Sequence, residues 1–117
     1  MKYKTSELSG GLLDIAVAVA MGLQYYTIQR VSPHTDNVTC WLSTVESRFS
    51  PSSLWEQGGP IIERHGITVG PAPKFNVPCK FNAFAAGDNQ WPVMADTPLV
   101  AAMRCFVIAK MGAEVDL

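Results

Sequence analysis

The sequence predicts an α+β fold: a small antiparallel sheet with two long helices, about 10–21 and 98–111, and short helices in the middle. Three observations lead to it. The runs Gly10–Met21 and Pro98–Met111 are apolar on nearly every side and are bounded by cap and stop residues. Other runs alternate with period two in β-branched and aromatic residues. Seven of the eight prolines fall between Pro51 and Pro98, which divides the middle of the chain into short elements joined by turns. At 117 residues the chain makes one domain over 1–117, since domains average roughly 150 residues.

Taken in order, Tyr3–Thr5 is a short edge strand. Ser9 is an N-cap and Gly22 a stop, so the first long helix spans about 10–21. Its Leu12, Leu13, Ile15, Ala16, Val17, Val19 and Ala20 cover most faces, which places it centrally in the core. Leu23–Val31 alternates as a strand, Pro33–Asn37 turns, and Val38–Leu42 returns antiparallel. Ser50-Pro51 is a cap with proline in the first helical position, Gly58-Gly59 stops that short helix, and Pro60 opens a second that Gly66 ends. After the Gly70–Pro73 linker, Lys74–Ala83 alternates as a strand that Pro78 sets near an edge. Thr97-Pro98 repeats the cap-plus-proline start, and Gly112 closes the last helix.

Apolar residues make up 48% of the chain and charged ones 16%, so it buries a core and is neither disordered nor a coiled coil. The net charge of −1 gives no general basic field, so binding to nucleic acid or to an anionic membrane would have to be local. Cys40, Cys79 and Cys105 match neither a disulfide framework nor a zinc pattern and read as reduced core residues. Leu12–Met21 is about half the length a bilayer crossing needs and lacks a signal-peptide cleavage site, so a cytoplasmic protein is expected. His34 and His65 have no second histidine at ligand spacing, which argues against a metal, and no sequence motif asks for a cofactor.

Four pieces stand out: Thr5–Gly10 with Leu13-Asp14 and Val17-Ala18; Ser50-Pro51-Ser52 with Trp55; Gln57–Arg64; and Thr97–Arg104. Together they resemble the NinX-like family of small proteins from lambdoid phages and prophages, from the N-terminus to Val115 with a variable middle. Ile15, where the family tends to have an aromatic, and His65, where a polar or acidic residue is usual, depart from the pattern. The family has no assigned activity, so the resemblance implies a phage protein acting in the cytoplasm of the bacterial host and nothing further.

The residues that carry chemistry come from these pieces and from the strand after them. A glycine pair followed by a helix start at Gln57-Gly58-Gly59-Pro60 offers backbone amides to a phosphate; without a ligand it is a helix stop followed by a helix start. Arg104 leaves an apolar helix and needs a partner, either Glu63 or Asp14 in an ion pair or a ligand anion. Trp55 and Trp91, with Tyr25, Tyr26 and Trp41 on the early strands, are stacking surfaces or core and lid aromatics. Lys80 and Asn82 share the wet face of a strand, and Thr97 caps a helix. The ligand-binding set is therefore Trp55, Gln57, Gly58, Gly59, Glu63, Arg64, Lys80, Asn82, Thr97 and Arg104.

Two readings compete. The first is a non-catalytic binding module that captures a small anionic, nucleotide-like ligand, in a phage setting a host defence signal. The second is a protein or nucleic-acid interaction module of replication or recombination, with the net charge against nucleic acid. An enzyme acting on a nucleotide comes third and needs Glu63, Asp14 or His65 as acid or base. Two helices apolar on nearly all sides are hard to cover in so small a domain, so a homo-oligomer is expected.

Overall fold

The computed structural model describes residues 1–31, 36–71, 81–84 and 93–117. The elements run β1 (Lys2–Lys4), a 3₁₀ turn (Thr5–Glu7), α1 (Gly10–Met21), β2 (Tyr25–Val31), β3 (Asp36–Leu42) and β4 (Ser47–Phe49). They continue with α2 (Trp55–His65), β5 (Thr68–Pro71), β6 (Phe81–Phe84), β7 (Val93–Ala95), α3 (Pro98–Met111) and β8 (Glu114–Asp116). The fold is α+β. Both long helices occupy their expected spans, and Gly22 ends α1 in the left-handed conformation that a glycine adopts without penalty.

The sheet differs from expectation in being divided. Described strands form three small antiparallel sheets, ordered β1-β8, β2-β3-β4 and β5-β6-β7. The physical reason lies in the helices. α1 packs on β3, while α3 packs on β5, β6, β7 and on α1, so each apolar cylinder takes its own cover instead of sharing one sheet. Leu13, Ala16, Val17, Ala18, Ala101, Ala102, Met103, Cys105 and Val107 are sealed from solvent at this centre. Much of the apolar surface of α1 and α3 is thus covered within the chain, while Leu12, Val19, Val100 and Ile108 stay half-buried.

The early hairpin matches expectation, with Tyr25 opposite Leu42 and Ile28 opposite Thr39, and β4 adds a third strand, Trp41 opposite Arg48. Three-residue strands such as β4, β7 and β8 are too short to show alternation in sequence. Of the strand expected over Lys74–Ala83, β6 contains Phe81–Ala83; Lys74–Lys80 lie outside the described residues, as do His34, Cys79 and Trp91.

The largest correction concerns the middle. Trp55–His65 is one helix, and Gly58, Gly59 and Pro60 lie inside it. Ser50-Pro51 does not start a helix but a turn, in which the Ser50 carbonyl accepts from the amides of Ser53 at 3.1 Å and Leu54 at 2.9 Å. Gly58 is there because the helix passes very close to its neighbours: a Cβ would stand 2.5 Å from the Pro51 carbonyl oxygen and 2.7 Å from a Leu99 methyl. Pro60 forfeits one ladder bond, to the Glu56 carbonyl, and tertiary packing carries the helix across both defects.

Candidate functional site

Clefts flank α2 and the start of α1. One cleft of about 630 Å³ lies between the end of α1, the ends of β3 and β4, and one face of α2. Met21, Leu42, Phe49 and Ile61 make an apolar floor, and Gln57, Pro60, Glu63, Arg64 and His65 border it. Positions 57, 60, 61 and 64 are three to four residues apart and so share one helix face, which is why a continuous α2 brings them together. Glu63 and Arg64 are exposed and His65 is partly exposed.

The polar groups of this cleft differ in how far they are committed. Gln57 is a brace: its Oε1 accepts the Ser50 amide and its Nε2 donates to the Arg48 carbonyl at 2.9 Å, tying α2 to the end of β4. His65 lies against the Phe106 ring, with centroids 4.7 Å apart. Partial burial pushes its pKa below the ordinary 6.5, and the charges of Lys110 and Arg64 push the same way. The imidazole is therefore neutral at pH 7 and gains a charge only in acid.

A second cavity, about 440 Å³, takes Trp55 and Thr97 with Gly10, Ser52, Ser53 and Pro98. Trp55 is 54% exposed. Thr97 acts as an N-cap, its Oγ1 accepting the Val100 amide at 3.2 Å. The predicted site is therefore split: Gln57, Glu63 and Arg64 meet in the α2 cleft, and Trp55 and Thr97 meet beside the start of α3. Lys80 lies outside the described residues, and Asn82 sits in β6 opposite Gly70 and Met94.

Gly58 and Gly59 present no phosphate-binding turn, because both are mid-helix. Arg104 serves the fold as well. Its Nε donates to the Leu8 carbonyl at 2.6 Å and its Nη1 to the Met94 carbonyl at 2.8 Å, clamping the segment before α1 and the strand before α3 onto α3. Asp14 is not its partner. Buried at 3% exposure in α1, Asp14 accepts the Ser52 amide at 2.9 Å and the Ser50 hydroxyl at 3.4 Å. Desolvation raises its pKa above the usual 3.8, against the opposing hydrogen bonds from Ser52 and Ser50 and the charge of Arg48.

These contacts join the four pieces singled out in the sequence. Asp14 holds the Ser50–Ser52 turn, Gln57 holds its first residue, Gly58 fits against Pro51 and Leu99, and Arg104 reaches back to Leu8. Sequence reasoning missed Asp14's role, and the signal was present: an acid inside an apolar helix must find donors.

A family comparison agrees with this assembly. The profile described as "Bacteriophage P22, NinX" matches residues 4–110, nearly the whole chain. No curated protein matches it. No helix among the described residues is long and apolar enough to cross a membrane.

Proposed function

The chain belongs to the NinX family of bacteriophage P22, and on that premise we propose that this phage accessory protein is a non-catalytic binding module. It captures a small anionic, nucleotide-like ligand, such as a host defence signal, in the cytoplasm of the infected bacterium. One observation carries the reading. The α2 cleft sets a planar-sized apolar floor, Met21, Leu42, Phe49 and Ile61, beneath the Arg64 guanidinium and the His65 imidazole. A base or sugar suits the floor, and an anion suits the rim. Among the described lining residues none carries a hydroxyl or thiol, so a Ser, Thr, Tyr or Cys nucleophile has no place among them.

A thermal-shift series with nucleotides and cyclic nucleotides tests the reading. Expected are a raised melting temperature for at least one compound, loss of that response in Arg64→Ala, and recovery of the compound unchanged after denaturation. No shift across the series, or an undiminished shift in Arg64→Ala, overturns it. His65 adds a pH signature. A cyclic phosphodiester keeps one charge throughout, so its affinity should rise only as pH falls below 6.5 and His65 protonates. His65→Asn should flatten that dependence in a titration by calorimetry.

We also propose self-association, through apolar side chains left outside the monomer: Val45, Leu54 and Trp55 are 63%, 37% and 54% exposed. Light scattering should give a mass above 12.7 kDa that Trp55→Glu lowers. A monomer at micromolar concentration would rule this out.

A further inference from the structure

We propose that the outer face of the β2-β3-β4 sheet is a platform for single-stranded nucleic acid, a surface separate from the α2 cleft. The antiparallel register decides which residues share that face: Tyr26, Ile28, Thr39, Trp41 and Arg48. Cys40 and Phe49, on the opposite face, are buried. None of these five positions is acidic and Arg48 is cationic, so the face carries a local positive charge on a chain whose net charge is −1.

The aromatic pair is stacked and held in place. The rings of Tyr26 and Trp41 lie 6.3 Å apart at 13°. The indole Nε1 donates to the Thr39 hydroxyl at 2.9 Å, and that hydroxyl donates to the Ile28 carbonyl at 3.2 Å, so the ring plane is fixed by a relay that ends on the backbone. Tyr26 and Ile28 are nevertheless each 42% exposed. An exposed aromatic surface ordered before any ligand arrives loses little freedom when a base stacks on it. Beside it a cavity of about 470 Å³ lies between Trp41, Thr39, Arg48 and the first residues of α1, Gly10 and Gly11. Arg48 is exposed at its margin, where a phosphate linked to a stacked base would fall.

The charge pattern chooses the partner. A stacked pair of aromatic rings beside a guanidinium group on a sheet suits unpaired bases joined by phosphates, whereas a duplex hides its bases and would meet only the one charge. One phosphate contact on a single strand predicts a slope of about −0.7 in log affinity against log salt.

The test is fluorescence anisotropy of the full chain with a labelled fifteen-nucleotide oligothymidine, alongside a duplex of equal length and free thymidine monophosphate. Expected are saturable binding to the single strand, at least about tenfold weaker binding to the duplex, and poor competition by the mononucleotide. Trp41→Ala should weaken binding by about five- to a hundredfold, the range for loss of a stacking ring. Arg48→Glu, at an exposed position, should weaken it at least tenfold and flatten the salt slope. Arg64→Ala, in the α2 cleft, should leave oligonucleotide binding unchanged, which separates this surface from the capture site. Equal affinity for duplex and single strand, effective competition by the mononucleotide, full binding in Arg48→Glu, or no anisotropy change in low salt would each overturn the proposal.

Discussion

Asp14 and Arg104 each carry a charge toward the packed interior: Asp14 accepts from Ser50 and Ser52 and feels the charge of Arg48, and Arg104 donates to the Leu8 and Met94 carbonyls. For Asp14 the burial cost exceeds what its Ser50 and Ser52 bonds return, so its folded pKa lies above 3.8. An acid with a raised folded pKa binds its proton more readily folded than unfolded, so this residue's contribution to stability falls as pH rises through the window above 3.8 and is recovered in acid. Asp14→Asn keeps an oxygen for the Ser52 amide and removes the ionisation. Urea titrations should therefore show the unmodified chain losing stability relative to Asp14→Asn on going from pH 4 to pH 7. Asp14→Ala, which strands the Ser52 amide, should lose about 1–3 kcal/mol. Arg104 spans two carbonyls with one planar fork. Ala there should cost about 2–4 kcal/mol, and Lys, which reaches one carbonyl at a time, roughly half of that by the same denaturation measurement.

At the scale of elements, α2 shows why composition misled and packing decided. Gly-Gly-Pro reads as a break from local preference alone, and two glycines do weaken a helix. The two have opposite reasons for being there. Gly58 admits no side chain because Pro51 and Leu99 occupy the space, while Gly59 has nothing within 4 Å of where a Cβ would stand. Gly58→Ala should therefore destabilise by about 1–3 kcal/mol through overpacking. Gly59→Ala should stabilise by about 0.5–1 kcal/mol, because it only restores helix preference. Urea midpoints of the pair check both signs. The long helices were legible because caps, stops and apolar runs coincide at Gly10–Met21 and Pro98–Met111; the two-helix reading of 51–66 failed because the contact that licenses Gly58 lies 41 residues away, at Leu99. The cleft was legible in part for the same reason: Gln57 and Arg64 share a helix face and Glu63 is next to it in sequence, whereas Met21, Leu42 and Phe49 of the floor come from three other elements.

For the molecule as a whole, the motifs that stand out in sequence turn out to be where α1, the turn after β4, α2 and α3 are fastened together. Asp14, Ser50, Ser52, Gln57, Gly58 and Arg104 hold the fold, while Glu63 and Arg64 of the same motifs stay exposed on the α2 cleft. Each of the three sheets has at most three strands and none would stand without the helices it covers. One cooperative unfolding transition is expected, with fluorescence and far-ultraviolet dichroism giving coincident curves; separate midpoints would show that the β5-β6-β7 side melts independently.

The pairing of β1 with β8 gives the molecule a mechanical character. Lys2 stands opposite Asp116, the Met1 ammonium touches the Asp116 carboxylate at 2.7 Å, and the Leu117 amide donates to the Met1 carbonyl at 3.0 Å. Tension applied between residues 1 and 117 thus acts across the ladder from its open end and breaks its rungs one after another, rather than shearing them together. With only three register pairs to open before Thr5 and its bond to the Gly112 carbonyl take the load, the clasp should yield at low force. The core between α1 and α3 would still be intact when it does, so a pulling trace should resolve the peeling of the two ends as a step of its own before the body unfolds.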